Sequence, residues 1–177
     1  MGGDIGRCNE ILSESIRCLR NLSYSLRPSG LEKFGLTGSL RKYCSEFTGE
    51  TGIKADFNVF GNKEDFIFDY DTSINLYRLV QESFNNTKKH AGATQVSVTL
   101  TALYPFVILR TQDNGGGFDT GILKTLDEKH MGLSGMAERT SCLDDGRMNI
   151  ESEPGKGTQT TIKFRGNYDE ESNNNTC

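Results

Sequence analysis

Glu82, Asn86 and His90 recur at every fourth position of the stretch 81–91, with Lys89 beside them. If that stretch is helical, a carboxylate, an amide, an imidazole and an ammonium share roughly one face, and it is not the apolar one. Mg2+ prefers hard oxygen ligands, keeps several of its waters, and is commonly held by one or two protein groups plus substrate phosphates. On that chemistry Asn86 offers its amide oxygen directly, Glu82 orders a metal-bound water, and Lys89 or His90 meets phosphate charge. The same spacing also describes a plain solvated helix face, and spacing alone leaves both readings open.

A second constellation is 113–118, DNGGGF. It follows a β-rich run, so the chain must turn sharply there while leaving room for a neighbour. A carboxylate at the end of a buried strand can accept from the exocyclic amine of adenine and would repel the O6 acceptor of guanine. A simple turn is the competing reading of the glycines. The stretch 132–136, GLSGM, opens a helical pattern, and free amides at a helix N-terminus favour anions, although glycines also start helices without any ligand. The stretch 155–158, GKGT, reads equally as a hairpin feeding a strand or as a turn whose Thr158 hydroxyl reaches a bound base. His130 is read as a surface or lid residue near phosphates. None of the cysteines has an activating base beside it in sequence, so they are expected to fill packing gaps.

These residues need elements to hold them. Apolar residues Ile5, Cys8, Leu12, Ile16, Leu19, Leu22 and Leu26 recur at steps of three or four, one stripe of a helix close to a coiled-coil seam. Arg27-Pro28 ends it. The pattern then predicts a helix over 36–47 stopped by Thr48-Gly49, and a strand over 53–60, where apolar and polar residues alternate. A helix over 73–90 takes its cap from Asp71, Thr72 or Ser73 and turns Leu76, Leu79, Val80, Ser83 and Phe84 inward. Two strands, 94–103 and 106–111, form a hairpin about Tyr104-Pro105. The stretch 115–130 reads as a loop with a short helical turn, 133–143 as a helix, and Asp145-Gly146 as a hairpin-type turn into the strand 148–152. A strand over 158–164 closes the sheet, and the acidic, Asn-rich 168–177 lacks apolar residues to bury.

The length of 177 residues suits one domain plus an arm. A net charge of −4 argues against a general nucleic-acid binder, which needs surplus Lys and Arg to displace phosphate counterions. Five cysteines with no CxxC pair leave one unmatched under any disulfide scheme, which points to a reducing cytosol. No apolar run approaches the roughly 20 residues a bilayer requires, and the first residues lack the basic and apolar regions of a signal peptide.

In order, 81–91 (QESFNNTKKHA), 113–118 (DNGGGF), 132–139 (GLSGMAER) and 155–158 (GKGT) resemble the N, G1, G2 and terminal Gly-Thr boxes of histidine-kinase ATPase domains. That superfamily also contains gyrase, heat-shock chaperone and mismatch-repair ATPases. The short lid and compact length resemble the kinase branch. The junction Leu26-Arg27-Pro28, with Leu31 and Phe34-Gly35-Leu36 after it, looks like the one that follows the second dimerisation helix in kinases of the nitrate-response type. The resemblance implies an α/β two-layer sandwich of the Bergerat type: a mixed β-sheet covered on one face by helices, with an N-terminal helical arm. It implies the end of a dimerisation helix over 1–28, an ATP-binding catalytic domain over 29–166, and a disordered tail over 167–177.

Carried over by position, it implies that Asn86 ligates Mg2+, that Glu82 supports the metal's water or proton transfer, and that Lys89 and His90 approach phosphate. Asp113 would read adenine of ATP, with Gly115, Gly117, Gly132 and Gly135 giving backbone room. Leu133 and Met136 of the same box would line the nucleotide, and Thr158 would assist at the base. Thr87 stands where Ala is usual, and Asp145-Gly146 replaces a Gly pair; neither is expected to touch the chemistry. Neither His90 nor His130 lies on a dimerisation helix, so the phosphoacceptor histidine is expected outside this chain. The implied partners are ATP, the kinase's own dimerisation helices in a homodimer, and a helix-turn-helix-type response regulator, with no direct nucleic acid. The implied location is cytoplasmic, with the full-length kinase free to be membrane-anchored. Two alternatives stay open: an ATP hydrolase or serine kinase of the same superfamily, and a non-catalytic module that dimerises through the 5–26 stripe.

Overall fold

A computed structural model describes residues 30–62, 64–121 and 131–166, with Met131 described by its backbone alone. The arm over 1–28, His130 and the tail therefore lie outside the described residues.

Helix α1, Leu31–Thr51, comes first, and a non-helical Gly35 divides its opening turn from the rest. The expected stop at Thr48-Gly49 does not occur. Instead the hydroxyls of Thr48 and Thr51 donate back to the carbonyls of Cys44 and Phe47, at 3.1 and 2.7 Å, and the helix runs on to a Gly52 cap. Strand β1, Lys54–Phe60, follows, and a short turn over 64–66 leads to helix α2, Tyr70–Asn86. The cap of α2 is Asp69 rather than a residue of 71–73. Its Oδ1 accepts from the Thr72 amide at 2.7 Å and its Oδ2 from the Thr72 hydroxyl at 2.8 Å, which starts the helix three residues earlier than the pattern predicts.

A π turn, Thr87–Ala91, extends α2 toward strand β2, Gln95–Leu103, and β3, Phe106–Asp113. Helix α3, Met131–Ser141, and strands β4, Arg147–Ser152, and β5, Thr158–Arg165, complete the described chain. Asp145-Gly146 makes a helix-to-strand turn: the Gly146 amide reaches the Leu143 carbonyl, and β4 pairs with β5.

The strands lie in the order β1-β2-β3-β5-β4, with β1 parallel to β2 and every other pair antiparallel. This is the mixed sheet expected. Register puts Val98 opposite Thr111, Leu100 opposite Leu109, and Leu109 opposite Ile162, so one face is mostly apolar, with buried Thr111, Thr160 and Asp113 toward one end. The other face carries Arg110, Gln112, Lys163 and Arg147 in the open. α2 lays Leu76, Leu79, Val80 and Phe84 on the apolar side, and α1 adds Leu36, Leu40, Cys44 and Phe47, all buried. Burial of each such side chain is worth about 1.5–3 kcal/mol. Phe84 is fully buried and meets Phe47 edge-on, ring centroids 4.7 Å apart. That contact fixes the last turn of α2, which carries Glu82 and Asn86.

Candidate functional site

Glu82 and Asn86 stand one turn apart on α2, both half-buried, two residues either side of Phe84. The helix that brings them into line does not continue to His90. The π turn widens the coil from Thr87 onward, so the every-fourth-residue alignment ends at Asn86, and Lys88, Lys89 and His90 are all exposed. The structure thus keeps Glu82 and Asn86 on one helix turn and leaves Lys89 and His90 exposed on the π turn beyond it. π turns of this kind are frequent at functional sites.

Asp113 ends β3 on the helix-covered face and is 8% exposed. Its Oδ1 accepts from the buried Gly115 amide at 2.8 Å. Its Oδ2 lies 3.5 Å from the Thr87 hydroxyl, which also donates to the Ser83 carbonyl at 3.1 Å. Thr87 directly follows Asn86, so the chain positions of the carboxylate and the amide are linked through the end of α2. Thr87, expected to lie apart from the chemistry, stands beside Asp113 in the structure.

The glycine segments close around this pair. The Gly116 amide donates to the Ala91 carbonyl at 2.7 Å, and the Gly155 amide donates to the Gly116 carbonyl at 2.6 Å. Gly115 packs so tightly on Ala91 that a Cβ there would overlap its backbone. Gly117 and Gly157 have φ of 59° and 76°, and a Cβ would overlap the Glu153 carbonyl at the first and the Asp113 carbonyl at the second. A Cβ on Gly132 would run into the Glu82 carboxylate and sit 3.8 Å from Asn86 Oδ1, so the start of α3 lies over the two α2 donors. Gly135 has open space around it. Leu133 is half-buried against the core, and Met136 is 1% exposed within it.

Two residues that the sequence did not single out hold the turns. Asn114 accepts from the Thr94 and Gln95 amides at 3.0 and 2.9 Å through one oxygen, pinning the turn after β3 to the start of β2. Ser152 accepts from the Phe118 amide and donates to the Gly157 carbonyl, both at 2.9 Å. The Thr158 hydroxyl lies 3.1 Å from that of Ser152, so in this structure it is engaged within the protein. An Asn and a Ser among turn residues carry no signal that separates such tethers from ordinary turn formers.

Chemically, Glu82 and Asn86 offer two hard oxygen donors at one helix turn's separation, beneath a residue without a side chain. That suits a cation that keeps most of its own water. Among the described residues no cluster of three or more His, Cys, Asp or Glu is set to hold a metal by itself. A separate polar groove of about 390 Å³, lined by Gln112, Glu151, Lys156, Thr158 and Gln159 among others, includes neither donor and lies toward the wet face of the sheet. No described helix is long and apolar enough to cross a membrane.

Residues 71–167 match the family model described as histidine kinase-, DNA gyrase B-, and HSP90-like ATPase. The histidine-protein kinase/phosphatase DegS of Brevibacillus brevis is 36% identical over 161 residues, 91% of this chain and 40% of that protein. The sensor histidine kinase ComP of Bacillus subtilis is 35% identical over 158 residues, 88% of this chain and 20% of that protein. The chain thus spans well under half the length of these relatives. Among solved structures, the histidine kinase domain of the Erythrobacter litoralis blue-light activated kinase aligns with a TM-score of 0.57 at 19% identity, covering 73% of this chain and 60% of that one. The Acinetobacter baumannii histidine kinase AdeS aligns with a TM-score of 0.58 at 15% identity, covering 90% of this chain and 80% of that one. At such identities the structural likeness speaks for the fold.

Proposed function

Because this chain belongs to the histidine kinase-, DNA gyrase B- and HSP90-like ATPase family, we propose that it is the ATP- and Mg2+-binding catalytic domain of a sensor histidine kinase. The observation that carries the reading is that three separated segments meet at the end of α2: Gly132 over Glu82 and Asn86, and Asp113 beside the next residue, Thr87.

In this reading the adenine amine donates to Asp113, and the phosphates run toward Asn86 and the start of α3. Gly132 and Gly135 let the chain approach them closely, Leu133 and Met136 flank the nucleotide, and Thr158 assists at the base. Asn86 holds Mg2+ through its amide oxygen. Mg2+, when bound, supplies charge neutralisation at the phosphates. Glu82 orients a water or takes up a proton from the α2 side, and Lys89 and His90, on the rim, meet phosphate charge. The γ-phosphoryl leaves ADP for a histidine nitrogen on a dimerisation helix outside this chain. The domain's share is position and electrostatics, most of what phosphoryl transfer asks of a protein.

The partners in this reading are the dimerisation helices of the same kinase, in a homodimer, and a response regulator of helix-turn-helix type. What supports the regulator class is the junction at 26–36, which resembles that of nitrate-response-type kinases. The location is the cytoplasm. Calorimetric titration with ATP and with GTP, in the presence and absence of Mg2+, tests the reading. ATP should bind with a Mg2+-dependent component that Asn86→Ala reduces, and GTP should bind weakly. Equal affinity for ATP and GTP, or a Mg2+ response unchanged in Asn86→Ala, would defeat it.

A further inference from the structure

We propose that Thr87 is a positioning residue for the Asp113 carboxylate, and through it sets how strongly the cleft prefers a purine that bears an exocyclic amine. The inference rests on the adenine reading of Asp113 and adds a residue to it.

Thr87 is 3% exposed and opens the π turn directly after Asn86. Its hydroxyl has a single proton and two acceptors within reach, the Ser83 carbonyl at 3.1 Å and Asp113 Oδ2 at 3.5 Å. The Ser83 carbonyl does not depend on that proton, because the Thr87 backbone N–H already donates to it. Asp113 Oδ2 has no other hydrogen-bond partner among the described residues, whereas Oδ1 is held by the Gly115 amide at 2.8 Å. A hydrogen bond to a carboxylate is the stronger of the two the hydroxyl can make. A small rotation about the Thr87 side chain therefore hands the proton to Oδ2 and leaves no carbonyl unpaired.

With Gly115 fixing one oxygen and Thr87 the other, the plane of the carboxylate is set. The remaining lone pair of Oδ2 then has a fixed direction in which to receive an amine. An Ala at 87 would leave that oxygen free to swing about the Gly115 contact. The hydroxyl is thus an added constraint on the same recognition event, and its removal should be felt only by ligands that carry the amine.

The test compares ATP with purine riboside 5′-triphosphate, which lacks the 6-amino group, by calorimetry on the full chain with Mg2+. Thr87→Val removes the hydroxyl at nearly constant volume, Thr87→Ala removes it without crowding, and Thr87→Ser keeps it. Wild type should prefer ATP. Thr87→Val should shrink that preference by about 3- to 10-fold, through weaker ATP binding alone. Thr87→Ser should retain it, and Thr87→Ala should behave as Val does, which keeps the comparison alive if Val disturbs folding. A full preference in both Val and Ala variants overturns the proposal, and so does an equal loss for both nucleotides, the mark of a packing role. If wild type itself does not distinguish the two nucleotides, the adenine reading of Asp113 falls and takes this proposal with it.

Discussion

Asp113→Asn separates two jobs held by one carboxylate. Oδ1 accepts the buried Gly115 amide at 2.8 Å, while Oδ2 lies 3.5 Å from the Thr87 hydroxyl and, in the proposed reading, accepts from adenine. Asn keeps an oxygen in the first position, so the Gly115 N–H stays paired, and the bond only declines from charge-assisted to neutral. That costs about 1 kcal/mol, or a fall in Tm of about 3–5 °C for a domain of this size. Asp113→Ala removes the acceptor altogether and orphans a buried donor, a loss of about 1–3 kcal/mol before any cavity is counted. Binding should order the variants differently. In Asn, an NH2 group would stand where the proposed reading has Oδ2 accept from the adenine amine, so donor would face donor and a charge-assisted bond worth about 1.5–3 kcal/mol would be lost, about 10- to 150-fold in Kd. Thermal denaturation and ATP titration of the same preparations measure both effects. The expected pattern is a mildly destabilised Asn variant that binds ATP poorly, and an Ala variant that suffers on both counts. An Asn variant as unstable as Ala would refute the assignment of Oδ1, and one with ATP affinity within about threefold of wild type would refute that of Oδ2.

Four other outcomes are expected. Gly157→Ala places a Cβ on the Asp113 carbonyl at a left-handed residue; it should destabilise by about 2–4 kcal/mol in chemical denaturation, and a variant as stable as wild type would contradict the close approach. Gly135→Ala, in open space on α3, should stabilise the helix by about 0.5–1 kcal/mol yet weaken ATP binding, whereas unchanged affinity would remove Gly135 from the nucleotide site. Cys44 is buried, and burial, aided by the charge of Asp56 and opposed by Arg41, pushes its thiol up to about 12; iodoacetamide at pH 8 should spare it in the native state while alkylating exposed Cys142, as read by peptide mass mapping. The Thr72 amide holds the Asp69 carboxyl below the usual aspartate range, so the cap's contribution is full at neutral pH and fades as acidity protonates it; the stability gap between wild type and Asp69→Ala, about 1 kcal/mol near pH 7, should shrink below about pH 4, and a gap independent of pH would count against the cap.

Local pattern made much of the fold legible. The alternation that predicts a strand over 53–60 corresponds to β1, and the spacing of Leu76, Leu79, Val80 and Phe84 is the inward face of α2. Helix ends were less so, because they depend on competing hydrogen bonds that spacing does not record: the back-bonded hydroxyls of Thr48 and Thr51 carry α1 past Gly49, and Asp69 pre-empts the caps at 71–73. The order of strands, with β5 between β3 and β4, follows from pairing across long stretches of chain and has no local signature. In the candidate site, the shared face of Glu82 and Asn86 was legible because a regular helix joins them. The displacement of Lys89 and His90 was not, since a π turn arises from how the chain leaves α2 for β2. Thr87 escaped for a similar reason: its significance lies in a neighbour 26 positions away.

Among the described residues, no further strand pairs with either rim of the sheet. The hydrogen-bonded row ends at β1 on one side and β4 on the other, and each rim is studded with charge: Lys54 paired to Asp56 at 3.1 Å, and Arg147 paired to Asp145 at the same distance, with Glu151 further along. A strand arriving from a second molecule would have to strip water from these ions before it gained any backbone bond. Among the described residues, the two rims therefore carry a deterrent to edgewise pairing built from the same charges that keep them hydrated.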